Sequence, residues 1–119
     1  MYISLNQCKW QVKGYWPYVP FLGKGVELGN ELMGVTDWID ATVPGGVHKD
    51  LLNAGLIEDP YYEMNSLKCE WVENRWWMYR TIFTMDNSFI GKNLSLIFKG
   101  IDYKAHIYLN KEKLGTHEN

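Results

Sequence analysis

Five carboxyls fall close together near the middle of the chain: Glu58, Asp59 and Glu63 in one polar stretch, Glu70 and Glu73 in the next. Two carboxyls held about 5 to 5.5 Å apart can divide the roles of acid/base and nucleophile between them. Nothing in the spacing sets these side chains opposite one another. Glu58 and Asp59 read better as the solvated stop of a short helix, and Glu63 as a turn residue. Asn65 lies between the two groups and, with Ser66 beside it, reads as an Asx turn.

The remaining candidates carry less. His48, His106 and His117 are isolated, with no second ligand at metal spacing and no Ser or Cys partner in a nucleophile motif, so no metal and no cofactor is expected. His48, near a helix start, reads as a hydrogen-bonding surface group. Cys8 and Cys69 are too few and too far apart for a disulfide framework or a CxxC site, and read as reduced packing thiols. Gly23, Gly25 and Gly29 miss the spacing of a dinucleotide fingerprint. Trp71, Trp76 and Trp77 could stack on a ring-shaped ligand, although in a strand such residues are more often core or interface.

Charge narrows the partners. With 12 Lys and Arg against 14 Asp and Glu, and no run of like charges, the sequence shows no electrostatic footprint for nucleic acid. Apolar runs such as Leu94–Phe98 break far short of the roughly 18 residues a membrane span needs. Met1 to Trp10 lack a basic n-region and an apolar h-region, so the cytoplasm is the expected compartment. Asn93-Leu94-Ser95 is a glycosylation sequon that matters only in a secreted chain.

The elements that must position these residues are mostly strands. Leu5 to Lys13 suits a first strand that Gly14 closes, and Tyr15 to Gly34 reads as a long connection, with Pro17, Pro20 and several glycines. Trp38 to Val43 alternates as a half-buried strand that Pro44 ends. A two-turn helix follows, with Val47 and Leu51 on one face, Ala54 close by, and Gly55 and Leu56 as the left-handed C-terminal cap with its hydrophobic contact. So short a helix is not stable alone, which explains why both its ends are tightly punctuated. Trp76 to Phe83 alternates with both faces largely apolar, so both faces are expected to be covered. Asn93 to Lys99 and Ala105 to Leu109 give two further strands, and Asn110 to Lys113 a hairpin turn into Leu114. One core is expected from Trp77, Tyr79, Phe83, Leu94, Leu96, Phe98, Ile107 and Leu109. On that reading Phe83→Ala would cost about 3 to 5 kcal/mol.

Three stretches in order, "ATVPGGVHKDLLNAGLIEDPYY", "WVENRWWMYRTIF" and "LIFKGIDYKAHIYLNKEKLGTHEN", resemble the N-terminal domain of β-mannosidases in glycoside hydrolase family 2, from about Trp38 to Asn119 and more loosely back to Leu5. The resemblance implies an all-β fold, a jelly-roll, galactose-binding-domain-like sandwich with one short helix. Residues 1–119 are expected to form the N-terminal part of that sandwich, ending before its second sheet is complete. The implied activity is retaining hydrolysis of terminal β-mannosides by two Glu residues of a (β/α)₈ barrel. That barrel lies outside this sequence, so the chain alone is expected to be inactive. The implied partners are a β-mannoside or other sugar and the parent chain's own catalytic barrel. The same domain of a β-galactosidase or β-glucuronidase, or a free-standing carbohydrate-binding module, are the alternative readings. In related β-galactosidases an Asn in the loop after a Pro-aromatic pair reaches the sugar, and "DPYYEMN" matches that context at Asn65. The sequence departs from the family at Gly46, often Thr, and at Lys111, commonly Gly in the hairpin. An unfinished sheet edge beside the apolar face of Trp76, Met78 and Ile82 further implies self-association.

Overall fold

The structure is a computed structural model that describes residues 4–29, 31–57, 70–85, 87, 91, 95–98 and 104–118. Strand β1 (Trp10–Tyr15) is the centre of an antiparallel sheet, flanked by β2 (Ile39–Ala41) and β3 (Trp76–Thr81). Strands β4 (Lys104–Leu109) and β5 (Glu112–Glu118) form a separate antiparallel hairpin. Two short helices, α1 (Gly25–Leu28) and α2 (Val47–Asn53), and 3-10 segments at Leu5–Gln7, Val19–Lys24 and Glu70–Asn74 complete the described elements. The fold is all-β with few helices.

The first strand starts and ends later than the composition suggests. Leu5–Gln7 is a 3-10 turn capped by the Ser4 hydroxyl, and the strand runs through Gly14 to Tyr15. Gly14 sits inside it because a Cβ there would stand 2.7 Å from the Trp77 ring and 3.0 Å from Val35. The missing side chain lets the indole of β3 approach the β1 backbone closely. Turn statistics read that glycine as a strand end, whereas a neighbour's packing is what requires it.

Helix α2 ends as its sequence predicts. Gly55 takes φ 75°, its N–H donates to Leu52 O at 3.0 Å, and the Leu56 N–H donates to Leu51 O at 2.9 Å, the paired bonds of a Schellman cap. Leu51 is fully buried and Val47 half-buried, while Ala54 is exposed and adds nothing to the docked face. The β4–β5 turn is a two-residue connection in which Asn110 and Lys111 both adopt left-handed φ, 50° and 69°. This is the primed geometry that matches strand twist, reached with Lys where Gly would be unstrained.

The core lies elsewhere than the strongest alternation. Among the described residues Val12, Tyr15, Leu51 and Val72 are the buried apolar ones, drawn from the central strand, the helix and the third 3-10 segment. Tyr79, Leu96, Phe98 and Leu109 are exposed; Trp77, Phe83 and Ile107 are half-buried; Leu94 lies outside the described residues. Among those residues β1 pairs on both sides and β3 on one only. Alternation shows which residues share a face but not where in the sheet their strand sits. Ile82, 91% exposed just past the end of β3, makes the same point. Phe83→Ala is therefore expected to cost less than the roughly 3 to 5 kcal/mol of a fully buried Phe. Residues 95–98 carry no strand, so the expected strand at Asn93 to Lys99 is not formed over its described part.

Candidate functional site

Two clefts open beside β2. The larger, about 860 Å³, is lined by Lys13, by residues 31–37, and by Ile39, Leu56 and Trp71. Lys13, on the central strand, is only 7% exposed. Its Nζ donates to Leu32 O at 2.9 Å and lies 5.5 and 5.9 Å from the centres of the Tyr15 and Trp38 rings. A carbonyl and two ring faces thus receive a cation that burial would otherwise penalise. The loop that supplies the carbonyl is pinned to β1 by Val35 N–H on Gly14 O at 2.8 Å and Gly14 N–H on Thr36 Oγ1 at 3.0 Å.

The smaller cleft, about 360 Å³, is lined by Trp38, Ile39, Asp40, Asp50, Asn53 and Ala54. Over Trp38 lies the Arg80 guanidinium, 3.7 Å from the ring centre, with Nε and Nη2 both donating to Gln11 Oε1 at 3.0 and 2.9 Å. Carboxyl, amide and indole together supply the acceptors, donors and apolar face that hydroxylated ligands use.

Asp50 has a structural duty there. It is 2% exposed, and its Oδ1 accepts the Thr42 N–H at 3.0 Å, tying α2 to the end of β2, while Oδ2 has no hydrogen-bond partner among the described residues. Burial pushes the Asp50 carboxyl above the usual carboxylate range, against the opposing pull of the Thr42 N–H, the Tyr79 hydroxyl and Lys49. Burial and the neighbouring Asp50 push the Tyr79 hydroxyl up to about 12. The folded state thus holds the Asp50 proton more tightly than the unfolded chain does, so its contribution to stability falls as pH rises from the ordinary carboxyl value of 3.8 through the raised one. Asp50→Asn, which keeps the acceptor and removes the charge, is expected to be near neutral at pH 7 and to flatten that part of the pH profile. Asp50→Ala is expected to cost about 1 to 3 kcal/mol by stranding the Thr42 N–H. Urea unfolding of the three proteins at several pH values checks both.

Of the residues singled out in the sequence, Glu58, Asp59, Glu63 and Asn65 lie outside the described residues. Glu70 opens the third 3-10 segment and Glu73 is exposed on it. His48 is half-buried in the first turn of α2, His106 half-buried on β4, and His117 exposed on β5. Among the described residues no group of three or more His, Cys, Asp or Glu could hold a metal. Trp77 Nε1 donates to Val72 O at 2.9 Å, and the Trp76 ring packs on Tyr18 and Phe21 at 4.7 and 5.1 Å. These indoles are built into the packing. The pairs that periodicity could not reveal are Arg80 on Trp38 and Arg75 on Trp16, each 3.7 Å from the ring centre, because each joins residues far apart in the chain.

The model of the glycosyl hydrolase 2 galactose-binding domain-like family matches residues 26–119. The chain belongs to that family. Among its relatives, the beta-mannosidase of Rattus norvegicus is 40% identical over 82 residues, covering 68% of this chain and 9% of that protein. That of Mus musculus matches to the same extent. Beta-mannosidase B of Emericella nidulans is 32% identical over 83 residues, covering 69% of this chain and 10% of that protein. This galactose-binding-like domain therefore spans about a tenth of the length of the curated relatives it matches. No solved structure matches it.

Proposed function

We propose that this domain is the N-terminal accessory part of a β-mannosidase that releases terminal β-mannosides with retention, and that it packs on the catalytic barrel and forms one wall of its pocket. The family match over residues 26–119, together with the similarity to relatives named beta-mannosidase, carries this reading. The exposed large apolar residues between β1 and β2, among them Trp16, Tyr18, Leu22, Leu28 and Met33, offer surface that a neighbouring domain would cover. Asn65 is the side chain proposed to reach the sugar.

A chimera tests this, with residues 26–119 replacing the matching segment of the rat beta-mannosidase. It is expected to hydrolyse an aryl β-mannoside, while the 119-residue chain alone does not. Asn65→Ala in the chimera is expected to raise KM or lower kcat severalfold with unchanged stability. A soluble, folded chimera without activity, or a fully active Asn65→Ala form, counts against the barrel-wall role and the Asn65 contact respectively.

A further inference from the structure

His106 of β4 stands where the hairpin meets the rest of the domain. Its ring lies edge-on to Phe21 at 4.7 Å and, tilted by 25°, over Trp76 at 6.1 Å. Tyr18 and Phe21 hold Trp76 in turn. Across the hairpin, Nδ1 is 3.1 Å from Thr116 Oγ1. A titratable ring thus sits within the aromatic cluster that seats β4–β5 on the second 3-10 segment and on β3.

Among the described residues the charged groups that act on this ring are both cations. Lys113 faces it from β5, with Nζ also 5.4 Å from the centre of the Phe21 ring, and Lys104 lies on its own strand. The second 3-10 segment and β3 meet it with the rings of Phe21 and Trp76. On α1, Glu27 is engaged by the hydroxyl of Tyr108. An indole face would favour an imidazolium, but 6.1 Å is at the outer limit, about 6 Å, of that attraction. Partial burial and two like charges all oppose it.

We infer that His106 is an acid-sensitive pin, whose protonation loosens the β4–β5 hairpin from the Phe21–Trp76 cluster while β1, β2 and β3 stay paired. Burial first, then Lys113 and Lys104, hold the imidazole below its ordinary value of 6.5. The seat is therefore fully in place above about pH 6.5 and is lost as pH falls from there through the lowered folded value.

Imidazole NMR and amide exchange on the 119-residue chain test this. His106 is expected to titrate below 6.5, the ordinary value. Between about pH 7.5 and 5.5, exchange in β4–β5, corrected for its intrinsic pH dependence, is expected to quicken severalfold relative to β1–β3. His106→Phe keeps a ring and removes the charge, so its hairpin protection should stay level over that range. His106→Gln serves the same comparison if the Phe form does not fold. An imidazole titrating at or above the ordinary value, or a variant whose hairpin responds to acid as the parent does, overturns the inference.

Discussion

Leu51→Ala is expected to lower the stability of the chain by about 2 to 5 kcal/mol, a large share of what a domain this size possesses. Leu51 is fully buried on the docked face of α2, and its carbonyl accepts the Leu56 N–H of the helix cap. Truncation leaves a cavity that the helix cannot readily move in to fill, because α2 is fixed at its C-terminal end by the Gly55 cap and at its middle by Asp50 on Thr42. The adjacent Leu52 is 37% exposed, so Leu52→Ala is the internal control and should cost much less. Equal losses for the two variants in urea unfolding would place the helix in the wrong rotation about its axis.

Gly34→Ala is expected to destabilise by on the order of 3 kcal/mol, through overpacking together with lost hydrogen bonds. A Cβ at this position would stand 2.6 Å from Gly14 O and 2.9 Å from Thr36 O. Those atoms are backbone, so no change of rotamer relieves the clash. The loop must lift from β1, giving up Val35 N–H on Gly14 O, Gly14 N–H on Thr36 Oγ1 and the Lys13 ammonium on Leu32 O. The last of these strands a buried cation, which adds to the loss. Gly115→Ala on β5, where a Cβ meets nothing within 4 Å, is the control and should be close to neutral. Thermal melts of the two variants distinguish them, and a Gly34→Ala protein as stable as the parent would show that the loop does not lie against β1.

The sequence by itself determined the short-range features and the family. The cap of α2 was legible because Gly55 and Leu56 act on carbonyls only a few residues away. The β4–β5 hairpin was legible in place, because a turn signal separates two alternating segments. The turn takes only Asn110 and Lys111, however, where the sequence suggested Asn110 to Lys113, and the register shifts between Ile107 and Tyr108. Family membership was legible because it rests on the order of residues along the chain. The tertiary structure alone decided which strand is central, and with it which residues form the core. Trp76 to Thr81 alternates more strongly than Trp10 to Tyr15, yet β1 has a neighbour on each side and β3 has one among the described residues. Burial follows the number of covered sides, and hydrophobicity only permits it. Gly14 is required by an indole from β3, and the Lys13, Arg80 and Asp50 environments are each assembled from segments distant in sequence. Periodicity describes a residue's own strand, whereas these sites depend on what another strand, loop or helix places against it.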